Sequence, residues 1–253
     1  MSEERCALVV GASSGIGRAV AVRLAARGMR VVAAARRQPQ LESLAAETGA
    51  SVVVGDIASE AGCLELVASA EETLGRIDVL VNTAAIGAAH ETTILDEPFA
   101  DWRHTMTMNL DAPFHLIQAC ASGMAGRGFG RIVMIGSTAS EQGGRRMPAY
   151  TASKHGLLGL VRAAAIDLAP HGITCNVVAP GWVKTEMSQR LVDTIARERG
   201  VSTDLVWAEI GASYPSGRTA STSEVAHAIV MLTDDAAGGI NGQCVAVAMG
   251  STW

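Results

Sequence analysis

Short apolar runs alternate with longer amphipathic stretches along the chain. Residues 7–10 (ALVV) are uninterruptedly apolar, and a glycine-rich turn follows. Over 15–27, Ile16, Val20 and Leu24 recur four apart, the spacing of one helical face. Residues 31–35 form a second apolar run. Residues 39–47 open on Pro39, which suits a first helical turn, and carry Leu41 and Leu44. A third run, 51–54, stops at Gly55-Asp56. Residues 59–74 predict a helix with Ser59 as N-cap. Residues 78–82 (DVLVN) predict a fourth strand. A long helix is expected over 102–122, disturbed near Asn109 and Pro113. Strands are expected at 131–136, 173–178 and 243–247, with helices at 150–168 and 223–233. Seven apolar strands alternating with helices predict an α/β fold: a doubly wound parallel sheet covered on both faces. No linker or repeat breaks the rhythm, so residues 1–253 read as a single domain. The least regular stretch is 181–222, with two short helices. Its 184–214 part is the candidate lid, since long excursions in compact domains are usually functional.

Composition narrows the function. The chain has 253 residues, 49% hydrophobic and 18% charged, with net charge -5. Basic residues occur only as short pairs, Arg36-Arg37 and Arg145-Arg146. That argues against a nucleic-acid partner, which demands clustered positive charge. The cysteines (Cys6, Cys63, Cys120, Cys175, Cys244) are scattered along apolar segments, and none lies within four residues of another. They read as buried thiols in a reducing compartment rather than a metal site or a disulfide framework. The histidines lack the H-E-x-x-H spacing, so no metal is expected. The N-terminal apolar run is too short for a signal peptide or membrane span. The expectation is a cytoplasmic protein with no membrane partner.

The turn at 11–17 reads GASSGIG, between the first strand and the first helix. Gly11, Gly15 and Gly17 follow G-x-x-x-G-x-G rather than the more familiar G-x-G-x-x-G. The physics is shared: glycines let the backbone approach a pyrophosphate, and the helix N-terminus offers it free N–H groups. The second strand ends AAARR. NAD sites place a carboxylate there, whereas Arg36 and Arg37 suit a 2′-phosphate, because guanidinium binds phosphate through paired hydrogen bonds. NADP(H) is therefore expected over NAD(H), with solvated surface arginines as the alternative. Asp56, after the third strand, either accepts from the adenine amino group or caps a turn.

With AYTASKHG at 149–156, the pattern resembles the short-chain dehydrogenase/reductase family. The resemblance spans nearly the whole chain. It rests on GASSGIG, Asp56, NTAA at 82–85, Asn109, Ser137 in IGS, Tyr150-x-x-x-Lys154 and PGWVKT at 180–185, in the family's order. It implies a Rossmann-like seven-stranded sheet and a catalytic set of Asn109, Ser137, Tyr150 and Lys154. Tyr150 is then the general acid in carbonyl reduction and the base in the reverse direction. The four-residue spacing puts Lys154 on the same helix face. An ammonium about 4 Å away at an effective dielectric of about 20 contributes roughly 4 kcal/mol, so it could lower the phenol's pKa by at most ~3 units. Ser137 holds the substrate oxygen, and Asn109 interrupts its helix and holds a water that relays protons to Lys154. The resemblance also assigns cofactor contacts to Ser13, Ser14, Ile16, Ile57, Asn82, Ala84, Pro180, Gly181, Val183 and Thr185. Two departures stand out: Ala85 replaces a frequent glycine, and Val10 replaces a frequent threonine.

The substrate is least legible. Candidate walls are Thr138, Gln142, Arg145 and Met147 in one loop, and Trp182, Met187 and Leu191 in the other. Trp207 and Tyr214 either join that pocket or pack inward. The layout is most similar to 3-oxoacyl reductases and to small hydroxy-acid or secondary-alcohol dehydrogenases. Carrier-protein reductases often present two arginines; Arg131 matches one position, but His171 stands at the other. The expected reaction is NADP(H)-dependent reduction of a ketone, with a 3-oxoacyl or polyketide-like carbonyl as a candidate. Rivals are an NAD-dependent alcohol, hydroxy-acid or polyol dehydrogenase and a non-catalytic dinucleotide sensor. The resemblance implies a homotetramer, with the apolar tail 245–253, ending in Trp253, as part of its interface.

Overall fold

The computed structural model describes residues 4–88 and 91–251. Seven parallel strands form one sheet: β1 (Cys6–Val10), β2 (Arg30–Ala35), β3 (Ser51–Val54), β4 (Val79–Asn82), β5 (Gly130–Ile135), β6 (Ile173–Pro180) and β7 (Cys244–Val247). Their spatial order is β3-β2-β1-β4-β5-β6-β7. The chain winds outward from β1 in one direction, then returns to β4 and winds outward in the other. A crevice therefore opens at the carboxyl ends of β1 and β4, where α/β sheets bind their ligands.

Alternate strand residues feed two separate cores. Leu8, Val10, Leu80, Ile132 and Met134 face α3 (Glu60–Leu74), α5 (Ala112–Arg127) and α6 (Pro148–Leu168). Val9, Ala33, Val81 and Val133 face α1 (Gly15–Ala26), α2 (Gln38–Thr48) and α9 (Thr222–Leu232). The expected doubly wound sheet is thus observed, with one difference. Edge strands β3 and β7 are only partly buried, because each has a neighbouring strand on one side alone.

The two anticipated disturbances have distinct causes. The helix expected over 102–122 is α4 (Phe99–Met106), a π turn at Thr107–Asp111, then α5, which opens with Pro113 in its first turn. Ser59 caps α3 by accepting from Gly62 N at 3.1 Å. The excursion after β6 is more ordered than its sequence suggests. It contains α7 (Glu186–Arg199) and α8 (Thr203–Ala212). These pack Val192, Ala196, Val206 and Trp207 into a small core of their own, with Trp182 edge-on to Trp207. Trp207 and Tyr214 therefore face inward rather than into a pocket. Trp207 Nε1 donates to Gln189 Oε1 at 2.9 Å, and the Tyr214 hydroxyl accepts from Trp182 N at 2.7 Å. Trp253 lies outside the described residues.

Candidate active site

The glycine turn shows why its side chains must be absent. Gly11 has φ +85, and a Cβ there would sit 2.6 Å from Ala84 N. A Cβ on Gly17 would run into the Gly11 carbonyl and the Thr83 hydroxyl. Thr83 Oγ1 in turn donates to Val10 O at 2.9 Å, tying the turn to β4. Thr83 was not singled out from sequence, although it neighbours Asn82. Asn82 is buried and its Oδ1 accepts from Ala84 N at 3.1 Å, which fixes the strand end. Gly15, at φ +56, faces the Thr185 methyl across the crevice. Ile16 packs partly into the core behind the turn.

Arg37 is the N-cap residue of α2, and its guanidinium turns back to the glycine turn. Nε and Nη2 donate to Ser13 Oγ at 3.2 and 3.1 Å, and Nη2 donates to Ser14 Oγ at 2.6 Å. A narrow glycine floor bordered by two hydroxyls and a guanidinium fits a dinucleotide that carries an extra phosphate. Arg36 behaves differently: it is exposed and only loosely paired with Asp56, at 3.9 Å. Asp56 Oδ1 accepts from Ala58 N at 3.1 Å, so the carboxylate caps a turn. The Ile57 side chain lies in the core, which leaves only its main chain to face a nucleotide. The same holds for Val183, which is buried beside Ala220. Gly181 N donates to Val247 O at 3.1 Å, which seats the turn after Pro180 at the end of β6. Thr185 is the N-cap of α7 and accepts from Ser188 N.

The four residues named for catalysis converge at the ends of β5, α6 and the π turn. Ser137 follows β5 in extended backbone and caps a single turn of 3-10 helix at Thr138–Ser140. Its hydroxyl hydrogen-bonds the Tyr150 phenol. Tyr150 and Lys154 are one turn apart on α6, with Lys154 Nζ 5.6 Å from the centre of the tyrosine ring. Lys154 is buried, and Nζ donates to Ile135 O at 2.9 Å. Burial alone pulls its pKa down to about 7. Burial likewise raises the pKa of Tyr150, and the Ser137 hydrogen bond opposes that rise. The lysine-driven lowering expected from the Y-x-x-x-K spacing is therefore not what sets the phenol here. An amine that is only part-charged at neutral pH lends less positive charge than that estimate assumed.

Asn109 sits in the π turn. Its amide is locked to one peptide: Oδ1 accepts from Ile86 N and Nδ2 donates to Ile86 O, both at 2.9 Å. Nδ2 also reaches Ser153 Oγ at 3.2 Å, and Ser153 Oγ donates to Tyr150 O at 2.8 Å. The side chain thus braces the 86–88 segment against α6. The π turn brings a polar side chain inward where an unbroken helix would bury an apolar one. Ile86 and Ser153 carried no sequence signal of their own.

A cleft opens beside Tyr150, lined by Ile86, Thr92, Glu97, Asp101, His104 and Met147 among others. Of the substrate residues read from sequence, Met147 lines it directly. Met187 approaches Gly87, another lining residue: a Cβ there would lie 3.5 Å from Met187 Cγ. Trp182 packs on the small core of α7 and α8, and Leu191 is half-buried on α7. Thr138 and Gln142 stand in the turn after Ser137. Arg145 is exposed, while its neighbour Arg146 pairs with Glu91 at 3.1 Å. Arg131 cannot meet an acidic carrier. It is buried, stacks on Phe129, and donates to the carbonyls of Gly130, Gly172 and Asp234. The polar wall of Thr92, Glu97, Asp101 and His104 was missed in the sequence because it comes from a loop and the first turns of α4, remote from every motif.

The family model described as enoyl-(acyl carrier protein) reductase matches residues 11–252. Acetoacetyl-CoA reductase from Shinella zoogloeoides is 36% identical over 244 residues, 95% of each chain. The 3-oxoacyl-(acyl-carrier-protein) reductase FabG of Escherichia coli is 34% identical over 250 residues, 97% of this chain and 96% of that one. Among solved structures, a variant of actinorhodin polyketide ketoreductase with NADPH superposes with a TM-score of 0.93 at 34% identity, covering 99% of this chain and 98% of that one. The chain therefore belongs to the short-chain dehydrogenase/reductase family and is an NAD(P)-dependent oxidoreductase acting on a carbonyl group.

Proposed function

We propose that the chain reduces a ketone to a secondary alcohol with NADPH, using Tyr150 as proton donor. The observation that carries this is the phenol hydrogen-bonded to Ser137 and stacked one helical turn from buried Lys154, beside a glycine cradle bordered by Arg37. When bound, the nicotinamide supplies the hydride. Ser137 holds the carbonyl oxygen against the Tyr150 hydroxyl, which gives its proton to that oxygen. A phenol whose pKa is raised by burial stays protonated across neutral pH, as a proton donor must. Lys154 stands next to the phenol and can return a proton to it. Asn109 keeps the 86–88 wall and α6 in register around the reacting atoms. Gly11, Gly15 and Gly17 admit the pyrophosphate, Arg37 takes the 2′-phosphate, and the turn from Pro180 to Thr185 orients the nicotinamide. The wall from Thr92 to His104 and Met147, with Met187 at its rim, takes the rest of the substrate.

The relatives' names support a 3-oxoacyl or polyketide-like ketone. Because Arg131 is buried, recognition of an acyl carrier would have to use other residues. We read the chain as one catalytic unit with residues 184–214 as its lid. We further propose a homotetrameric, cytoplasmic protein. The five cysteines are unpaired thiols, as a reducing compartment permits. No helix among the described residues is long and apolar enough to cross a membrane. The test is oxidation of NADPH and NADH against a panel of free ketones and 3-oxoacyl thioesters, run beside Tyr150→Phe. Turnover with NADPH is expected, and the variant should lose at least about a hundredfold of it while binding NADPH normally. Near-native turnover by Tyr150→Phe sinks the assignment.

A further inference from the structure

Arg37 already holds an anion. Beyond its bonds to Ser13 and Ser14, its remaining amino group, Nη1, pairs with Glu186 Oε2 at 2.6 Å. Glu186 is the first residue of α7, directly after Thr185, so the contact joins the lid to the nucleotide turn across the crevice. It is the charged end of that bridge; Thr185 against Gly15 is the apolar one. The carboxylate is kept at a helix N-terminus, where negative charge is favoured. The neighbouring Arg36 is exposed and pairs only loosely with Asp56, at 3.9 Å. One guanidinium is therefore aimed at the glycine turn, and a residue of the chain itself takes up one of its donor groups.

We propose that Glu186 tempers the cofactor selectivity of this enzyme by competing with the 2′-phosphate for Arg37. The inference rests on the NADP reading above. NADPH must exchange the carboxylate for its phosphate on Nη1, and the displaced carboxylate is left close to a second anion. NADH carries no 2′-phosphate and leaves the Arg37–Glu186 pair intact. Glu186 thus weakens NADPH binding without affecting NADH. The pair is half exposed, and such pairs are individually weak. A phosphate, doubly charged and able to take two parallel hydrogen bonds, can displace it. The effect is accordingly moderate: discrimination is tempered rather than reversed.

The test measures dissociation constants of NADPH and NADH by nicotinamide fluorescence at fixed salt, for the native chain, Glu186→Gln, Glu186→Ala, Arg37→Ala and the double variant R37A/E186Q. Both Glu186 variants should bind NADPH about threefold to tenfold more tightly, with NADH unchanged within about twofold. Arg37→Ala should weaken NADPH at least about tenfold, and adding Glu186→Gln to it should then have no effect. If Arg37→Ala weakens NADPH while both Glu186 variants leave the NADPH-to-NADH ratio unchanged or lower, the proposal is overturned and the NADP reading stands. If Arg37→Ala leaves that ratio unchanged, Arg37 does not take the 2′-phosphate and the proposal is overturned; the NADP reading itself fails only if the native chain binds NADH as tightly as NADPH.

Discussion

Lys154 shows how one side chain couples chemistry to stability. Folding buries it, and its pKa falls to about 7 from an ordinary value of 10.5. Between those values the unfolded chain binds the proton that the folded chain releases, so stability rises with pH across that window. Below about 7 the lysine is charged in both states and the burial cost is borne in full. The buried thiols act in the opposite sense. Cys63 is raised to about 11, and Cys175 and Cys244 to about 12, from an ordinary value of 9.0, so each loses stability for the fold as pH climbs past about 9. The cofactor-free chain should therefore be most stable near pH 9. Lys154→Met should flatten the rise between pH 7 and 9 and raise the denaturation midpoint at pH 7, while leaving the fall above 9 intact. Urea titrations over pH 6–10 measure this. An unchanged pH slope in Lys154→Met would mean that the amine is solvated in the folded chain.

The strand–turn–helix unit of β1, the glycine turn and α1 was the most legible part of the sequence, for a reason particular to it. A backbone that must pass another backbone closely can only be written in glycine, so the requirement is visible in the letters themselves. Gly17→Ala is expected to push the turn off Thr83 and the Gly11 carbonyl, weakening dinucleotide binding at least about tenfold and costing roughly 1–3 kcal/mol of stability. Isothermal titration and a thermal melt read the two effects separately. Tyr150 and Lys154 were legible through the family resemblance, to which helical spacing adds that they share one face. The Asn109 break was also anticipated, but its partners were not, because Ile86 contributes only main-chain atoms and any residue could supply those. The wall from Thr92 to His104 stayed hidden for the same kind of reason. Those side chains are near neither the motifs nor each other in any periodic pattern, and only the fold gathers them. Arg131 is the instructive failure. It matches a position that carrier-protein reductases use, yet the four carbonyls around it make burial possible.

Across the whole molecule, large apolar side chains remain uncovered on the two longest helices of the sheet's faces. Phe114 on α5 is 43% exposed and Ile166 on α6 is 75% exposed. Scattered exposed residues are ordinary, but these lie on two neighbouring helices of one face, and we propose that the homotetramer forms through them. Light scattering behind size exclusion should give four times the 26.1 kDa chain mass. Ile166→Glu should shift the species to a smaller assembly without unfolding it, and a native chain eluting as a monomer would remove the proposal.

The proposed lid has a different kind of independence. Its tryptophan-centred core is not shared with either core of the sheet, and it meets the rest of the chain at a handful of points: Tyr214 on Trp182, Thr185 over Gly15, Glu186 on Arg37, Met187 beside Gly87. Changes inside such a segment need not be compensated in the sheet. Residues 184–214 are in that sense a cassette. A lid from another reductase, grafted at those four seams, can bring a new substrate preference without disturbing the machinery that moves the hydride.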